Sequence, residues 1–150
     1  MSTARALLSA PLAVWERDGL KAALAKAGLP ADNLDNAHSL FWRFETAADI
    51  PAGFGGLEIY APDALVRSVV TLPPVRGLGI GRAIVSVLET EARARQCSSA
   101  FIVTTSQAEF FARLGYRTCS RSQVPEPIRR APHFNAHCCA DAAVMVKKGL

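Results

Sequence analysis

The sequence lacks the cysteine and ligand patterns of disulfide-bonded and zinc-binding proteins. None of its four cysteines belongs to a Cys-x-x-Cys pair, and the adjacent Cys138 and Cys139 cannot bridge each other without strain. His133 and His137 are four residues apart, but no third ligand stands at a spacing typical of zinc sites. We therefore expect free thiols, no bound metal and a cytoplasmic location.

Long apolar runs are missing as well. No stretch approaches the roughly 18 residues that a membrane-spanning helix requires. Residues 5–15 faintly resemble a signal peptide, but they continue into an amphipathic pattern rather than into a cleavage site. We interpret this segment as part of the fold and expect no membrane partner.

The charge distribution argues against a nucleic-acid partner. The net charge is +4, but the arginines are dispersed, whereas binding to a duplex needs a clustered basic stripe. The charge therefore favours small anionic ligands. With 150 residues, half of them apolar, the chain is long enough to form one domain, 1–150, around a sizeable core.

Hydrophobic periodicity predicts a chain of alternating helices and strands. We expect helices over 11–27, 80–96 and 107–114, a three-strand meander over 39–45, 53–60 and 65–72, and further strands over 100–105, 116–119 and 141–147. The segment 121–140, which contains three prolines, is predicted to be irregular. This order implies an α/β (α+β) fold with a mixed sheet of about six or seven strands and helices on both faces.

One stretch organises this pattern, the glycine-rich turn from Thr71 to Arg82 between an apolar strand and an amphipathic helix. Its glycines, Gly77, Gly79 and Gly81, alternate and allow the backbone to approach a ligand closely. Because the turn opens a helix, it presents unpaired N–H groups and the positive end of the helix dipole. These features predict a phosphate or pyrophosphate site.

The same stretch departs from two nucleotide-binding motifs. A P-loop requires Lys and then Ser or Thr after its second glycine, but Gly81 is followed by Arg82 and Ala83, so no hydroxyl is placed for magnesium. A dinucleotide-binding motif has a different glycine spacing and an acidic residue about 20 positions later, which is missing here. A sharp turn without a ligand stays open as another interpretation, because G-x-G-x-G alone is a weak signal.

Two motifs of this chain occur together in one family of enzymes. One is Arg76-x-x-Gly79-x-Gly81 in the glycine-rich turn, and the other is the stretch from Gln107 to Tyr116. They resemble the R/Q-x-x-G-x-G/A signature and the downstream A-x-x-F-Y-x-x-x-G-F/Y motif of the GNAT superfamily of acyl-CoA N-acyltransferases. The resemblance implies a single-domain GNAT-like fold, acetyl-CoA as the donor, and direct attack by an amine in a ternary complex. A homodimer is expected from the resemblance alone.

Further stretches resemble a smaller branch of the family, the N-acetyltransferases found in arsenic-resistance operons. They include 53–58, 65–70, 124–128 and the segment from Phe134 to Cys138. This resemblance implies that the acceptor is the primary amine of a small molecule, such as an amino-acid-like arsenical that is detoxified. Other possibilities stay open: an antibiotic amine, a protein N-terminus, or a regulatory module that binds acyl-CoA without catalysis.

The resemblance also implies roles for residues at the donor site. Backbone N–H groups of the turn would hold the pyrophosphate, and a backbone N–H near Thr71 would stabilise the developing oxyanion, so Thr71 is a catalytic candidate. Phe111 stands where many relatives carry a tyrosine that protonates the leaving thiolate, which leaves the acid unassigned. The donor-binding residues expected are Val69, Val70, Thr71, Arg76, Gly77, Leu78, Gly79, Ile80, Gly81, Arg82 and Phe111.

On the acceptor side, carboxylates in the predicted meander are the candidate bases. Glu58 and Glu45 are placed to take a proton from an ammonium group. Arg67 is unusual in an apolar strand, and it either reaches an acidic substrate or pairs with one of these carboxylates. A cysteine thiolate in the proline-containing segment would suit a soft arsenic(III) centre. The substrate-binding residues expected are Arg67, Ser68, Arg129 and Cys138.

Overall fold

One seven-stranded mixed sheet forms the centre of the protein. The structure, a computed structural model, describes residues 7–137 and 141–150. Its strands are β1 (Leu7–Pro11), β2 (Ser39–Thr46), β3 (Pro51–Tyr60), β4 (Asp63–Thr71), β5 (Ser99–Thr104), β6 (Arg117–Thr118) and β7 (Ala143–Lys148). Their order across the sheet is β1-β2-β3-β4-β5-β7-β6. Only the pairing of β4 with β5 is parallel among these strands, and the other neighbours are antiparallel.

Five α-helices accompany the sheet in the described part of the chain. They are α1 (Arg17–Lys26), α2 (Ile80–Ala94), α3 (Ala108–Arg113), α4 (Glu126–Arg129) and α5 (Pro132–His137). The α2 helix lies in the crossover connection between β4 and β5, because parallel neighbouring strands cannot be joined by a tight turn. Within these described ranges, every helix is too short or too polar to cross a membrane.

Strand alternation divides the core between the two faces of the sheet. In β4, Ala64 and Val66 join the cluster that packs with α2, whereas Leu65 between them joins the cluster beneath α4 and α5. The α1 helix packs on this second face, where Leu24 contacts the cluster of Phe41 in β2. The expected mixed sheet with helices on both faces is therefore confirmed.

The helix predicted over 11–27 is wrong at its beginning. Pro11 ends β1, a single 3-10 turn covers Val14–Glu16, and α1 begins only at Arg17. The reason is that the backbone continues to pair with β2, since the N–H of Leu12 donates to the carbonyl oxygen of Phe41 at 2.8 Å. A segment held in the sheet cannot join the helix, whatever its apolar spacing.

The segment predicted to be irregular contains two short helices. The α4 helix has four residues and α5 has six, so neither is long enough to show a helical repeat in the sequence. Pro132 is the first residue of α5, a position where the missing N–H of proline costs no hydrogen bond. The prolines that suggested an irregular segment thus mark helix starts.

Glycines in β3 allow neighbouring groups to pack directly on its backbone. A Cβ atom on Gly55 would lie 2.8 Å from Cγ2 of Ile84 in α2, and one on Gly56 would lie 2.6 Å from Cδ1 of Phe41. Glycine weakens a strand in isolation. Here it permits α2 on one face, and Phe41 on the other, to approach the centre of the sheet.

Replacement of Gly55 by alanine is expected to lower the free energy of unfolding by about 1–3 kcal/mol, because the new methyl group overlaps buried side chains of α2. Gly19→Ala is the matched control: Gly19 lies in α1 with nothing within 4 Å of an added Cβ. Helix propensity should make that variant more stable by about 0.5–1 kcal/mol. Urea denaturation followed by circular dichroism measures both, and equal effects would contradict the packing of α2 on β3.

Candidate functional site

The candidate site begins where two neighbouring strands separate. β4 and β5 pair only over Asp63–Leu65 and Ser99–Phe101. Beyond these residues the two strands diverge, while β5 stays paired with β7 as far as Thr104. A groove therefore opens between the later halves of β4 and β5, and it leaves that edge of β4 accessible to a ligand.

β4 carries a bulge at this groove. Its pairing with β3 shifts by one residue between Arg67 and Val70, so that Ser68 and Val69 together stand opposite Gly55. Ser68 has a φ of 60°, a conformation that few residues other than glycine adopt. Bulges release backbone groups from the ladder and redirect side chains. Ser68 and Val69 accordingly line the groove.

At one end the groove widens into a cavity of about 770 Å³ beside the glycine-rich turn. Gly77 and Gly79 have φ values of 83° and 76°, which residues with a Cβ atom rarely adopt. The α2 helix begins directly after Gly79, and no side chain caps its first turn, so its N–H groups are available. Arg76 and Arg82 line the same cavity. Cationic side chains beside a free helix start suit a phosphate group.

The third glycine of the turn makes room for α3. A Cβ atom on Gly81 would lie 3.2 Å from Cζ of Phe110, and Phe110 lines the cavity. The neighbouring Phe111 is instead 2% exposed, packs edge-on against Phe110 and Tyr116, and lines neither end of the groove. Phe110 is therefore better placed than Phe111 to contact a bound cofactor.

The other end of the groove is a cavity of about 430 Å³ between β4, β5 and α5. Leu29, Val69 and Gln107 line both cavities, so the two ends form one continuous groove. The remaining lining residues of this second cavity are Gly28, Pro30, Arg67, Ser68, Ile102, Val103, Thr104, Thr105, Ser106, His133, Ala136 and His137.

Arg67 lies at the wall of this second cavity in a buried ion pair. Its Nη1 atom donates to Oε2 of Glu58 at 2.9 Å, and both side chains are 0% exposed. Two further N–H groups donate to the backbone carbonyl oxygens of Asp32 and Asn33, each at 2.8 Å. Burial lowers the pKa of Arg67, and the charge of Glu58 opposes this shift. Of the two roles expected for Arg67, pairing with a strand carboxylate is the one that these contacts match.

The same ion pair encloses Glu58. Its other carboxylate oxygen accepts a hydrogen bond from the hydroxyl group of Tyr60 at 2.7 Å. Burial, with the nearby Glu58 carboxylate, raises the pKa of Tyr60 above its usual value. Glu58 contributes no lining to either end of the groove. Its carboxylate is thus occupied by Arg67 and Tyr60.

Two histidines of α5 line the second cavity. His133 is 4% exposed, and its Nδ1 atom has no hydrogen-bond partner among the described residues. Burial, followed by the charges of Arg67 and His137, lowers the pKa of His133 to about 3, so its ring is neutral. The Nε2 atom of His137 lies 2.8 Å from Oδ1 of Asp32, and this hydrogen bond lowers the pKa of Asp32. The wall of the second cavity therefore carries two imidazole rings, one neutral and one hydrogen-bonded to Asp32.

Several predicted site residues lie away from the groove. Glu45 is half-buried and lines a different cavity, together with Trp15 and Phe54. Arg129 is exposed on α4, and Cys138 lies outside the described residues. Leu78 is 58% exposed at the tip of the turn. The predicted residues that the structure does bring together along the groove are Arg67, Ser68, Val69, Val70, Thr71, Arg76, Gly77, Gly79, Ile80, Gly81 and Arg82.

Sequence reasoning assigned no site role to Phe110, to Asp32 or to the two histidines, although it took the segment that contains the histidines as the best candidate for a substrate-facing loop. The spacing of four residues between His133 and His137 places both on one face if the segment is helical. Because α5 was not predicted, the sequence did not indicate that the two rings lie side by side. Asp32 is 105 residues from His137, so no local pattern connects them. In residues 7–137 and 141–150, no group of three or more His, Cys, Asp or Glu residues is placed to hold a metal ion.

The chain is similar to known acetyltransferases. The family model of the acetyltransferase (GNAT) domain matches residues 37–118, which is more than half of the chain. Mouse N-alpha-acetyltransferase 80 is 40% identical over 65 residues, which are 43% of this chain and 19% of that protein. The chain therefore spans about a fifth of the length of this relative.

Solved structures share the fold at low sequence identity. The N-acetylglutamate synthase of Neisseria gonorrhoeae, complexed with coenzyme A and N-acetyl-glutamate, superposes with a TM-score of 0.77 at 18% identity, over 97% of this chain and 35% of that one. A GNAT-family acetyltransferase from Staphylococcus aureus superposes with a TM-score of 0.70 at 14% identity, over 95% of this chain and 99% of that one. The second match extends over the whole of a small acetyltransferase domain.

Acidification is expected to destabilise the protein partly through His133. Its ring stays neutral in the folded state, whereas the unfolded chain takes up a proton near pH 6.5, so this contribution to stability is lost as the pH falls from about 6.5 towards about 3. The slope is about 1.4 kcal/mol per pH unit, and about 1–2 kcal/mol should be lost between about pH 6.5 and about pH 5.

His133→Phe should remove this part of the pH dependence, whereas His38→Gln, at an exposed histidine, should retain it. The measurement is the free energy of unfolding in urea at several pH values for the three proteins. The same slope in the wild type and in His133→Phe would mean that His133 is not held neutral.

Proposed function

The chain belongs to the acetyltransferase (GNAT) domain family, a family of acyl-CoA N-acyltransferases, and we propose that it transfers an acetyl group from acetyl-CoA to the primary amine of a small molecule. One observation carries this proposal. A single groove joins an anion-binding cavity at the start of α2 to a small polar cavity between the diverging strands β4 and β5. A donor with a pyrophosphate at one end and a thioester at the other fits such a groove.

The pyrophosphate of the donor is assigned to the glycine-rich turn. Free N–H groups at the start of α2 would hold its oxygens, and Arg76 and Arg82 would add positive charge. Gly81 keeps the space beside Phe110 free of side-chain atoms. The Neisseria gonorrhoeae synthase, a protein of the same fold, is complexed with coenzyme A, which supports coenzyme A as the class of ligand.

Acetyl-CoA would supply an activated thioester, and the residues of β4 would orient it. The bulge at Ser68 and Val69 interrupts the ladder in the middle of the groove. A backbone N–H group of β4 near Thr71 is the proposed donor to the thioester carbonyl oxygen, because a hydrogen bond aimed at developing negative charge lowers the barrier. We therefore propose that Thr71 is catalytic, through its backbone N–H group rather than through its side chain.

Direct attack by the amine agrees with the chemistry of the groove. The described cysteines, Cys97 and Cys119, do not line it, and burial raises the pKa of both thiols, which disfavours an acyl-cysteine route through either of these two residues. Both tyrosine hydroxyls are engaged with carboxylates, Tyr60 with Glu58 and Tyr116 with Glu89. We therefore propose that solvent, rather than a tyrosine, protonates the leaving thiolate.

The acceptor is proposed to be a small amine such as an amino-acid-like arsenical, in accordance with the resemblance of the sequence to the arsenic-operon branch. A cavity of about 430 Å³ has the size of a small-molecule pocket. A peptide N-terminus is the second candidate, since the mouse relative is an N-alpha-acetyltransferase. Thiol release from acetyl-CoA, measured with an amino acid that carries an arsonate group, plain amino acids, an aminoglycoside and short peptides, distinguishes these acceptors.

The result expected is turnover with the arsonate amino acid and little with peptides. Activity restricted to peptides would exclude the small-molecule assignment. Tight binding of acetyl-CoA in a calorimeter without acetylation of any amine would support a non-catalytic acyl-CoA-binding module. Absence of acetyl-CoA binding would overturn the proposal as a whole.

Arg82→Ala is expected to weaken acetyl-CoA binding about 5- to 10-fold at low salt, because it removes a charge beside the proposed pyrophosphate site. Arg93→Ala is the matched control, since Arg93 lies in the last turn of the same helix and lines neither groove cavity. Calorimetry at increasing salt concentrations should show the difference between the two variants shrinking as the charge is screened. If both variants bind as the wild type does, the pyrophosphate lies elsewhere.

A further inference from the structure

The acceptor end of the groove contains few groups that can take up a proton. Its titratable lining residues within the described part of the chain are Arg67, His133 and His137. Arg67 is a cation held by Glu58, and Glu58 itself is 0% exposed and does not line the cavity. A proton acceptor for an ammonium group must therefore be sought in α5.

His133 is a poor proton acceptor in this place. Its ring is buried beside the positive charge of Arg67, and these surroundings hold its pKa at about 3. An imidazole of that basicity cannot remove a proton from an alkylammonium ion at neutral pH.

His137 differs in both exposure and partner. Its side chain is 27% exposed and also lines the cavity, so it can exchange protons with solvent. The carboxylate of Asp32 only accepts hydrogen bonds, and therefore Nε2 of His137 carries the proton in their 2.8 Å contact. The neutral ring then presents a lone pair on Nδ1. Asp32 fixes this tautomer and stabilises the imidazolium ion that would form.

Building on the proposed acetyl transfer, we infer that His137 is the general base that deprotonates the acceptor ammonium group, and that Asp32 is its positioning residue. Nδ1 of His137 takes one proton from the R–NH₃⁺ group. The freed amine lone pair forms the C–N bond to the thioester carbonyl carbon, and the C–S bond breaks with its electron pair on sulfur. The second proton of the amine nitrogen goes to solvent as the amide forms, and the imidazolium ion returns its own proton to solvent.

The charges around His137 agree with this role. Asp32, in the loop between α1 and β2, places its carboxylate oxygen Oδ1 2.8 Å from Nε2 of His137. His133 lies one helical turn away with its ring centroid at 5.0 Å, and it is neutral. Arg67 of β4 also lines the cavity, and the paired Glu58 compensates its charge. The charged group in direct contact with the His137 ring is therefore the carboxylate of Asp32.

The experiment compares His137→Gln and Asp32→Asn with the matched controls His38→Gln and Asp35→Asn. His38 is exposed outside the groove, and the side chain of Asp35 is 94% exposed in the same loop as Asp32. Asp32 contacts Arg67 only through its backbone carbonyl oxygen, so Asp32→Asn leaves that contact in place. The kcat/KM value is measured at neutral pH for each protein with two acceptors, the best alkylamine of the panel and hydroxylamine, which is unprotonated at that pH.

We expect kcat/KM for the alkylamine to fall at least 100-fold in His137→Gln, which is the usual contribution of a general base. The fall should be smaller in Asp32→Asn. Hydroxylamine should lose less than 10-fold in both variants, because it needs no deprotonation before attack. Acetyl-CoA affinity should stay unchanged, and both controls should behave as the wild type does.

An equal loss for both acceptors would show that His137 has a structural rather than a basic role, and full activity in His137→Gln would overturn the inference outright. These results differ from failure of the proposed function, in which the wild-type protein acetylates no amine. A His137→Asn variant provides a second test if the glutamine variant folds poorly, judged by its circular dichroism.

Discussion

The separation of β4 from β5 is the constraint on which the rest of the structure depends. Each strand is also paired on its other edge, β4 with β3 on both sides of its bulge and β5 with β7, so the sheet stays intact when the two diverge. The crossover helix α2 must leave β4 at the carboxyl end of the parallel pair, which places its free N–H groups beside the opening. A buried strand edge needs hydrogen-bond partners. The groove is thus both a gap in the sheet and a set of backbone groups that a ligand can satisfy.

The ion pair of Arg67 and Glu58 links this opening to the acceptor end. Two buried charges carry a large desolvation cost, and they are tolerated only when every remaining donor has a partner. Arg67 meets this requirement by donating to the backbone carbonyl oxygens of Asp32 and Asn33. These hydrogen bonds hold the loop after α1 against β4. Asp32 is thereby held where its side chain meets His137. A charge placed in the core for structural reasons therefore also fixes the geometry of the cavity wall.

Features that arise from neighbouring residues could be predicted from the sequence. The apolar spacing of α2 and the glycines at 77 and 79 each reflect local geometry, a helical face and a positive φ, and the structure contains both. Features that depend on distant packing were not predictable. Nothing local indicates that Phe110 faces the groove while Phe111 enters the core, since both belong to one short helix. The predicted start of α1 was wrong because the residues before it pair with β2. This pairing depends on a distant strand, so the pattern of the segment itself does not reveal that it competes with helix formation.

The two ends of the groove differ in which parts of the chain form them, and this difference affects substrate specificity. The proposed donor end takes its anion-binding backbone groups and glycines from one continuous stretch, the turn before α2, although residues of α1, β4 and α3 also line it. The acceptor end is assembled from four separate segments: the loop after α1, β4, the stretch 102–107 and α5. Because α5 lines no part of the cavity beside the glycine-rich turn, substitution in α5 alters the acceptor end without disturbing the proposed pyrophosphate site. A fold of this kind can therefore keep one donor while its acceptors diverge, which explains why the donor was readable from the sequence and the acceptor was not.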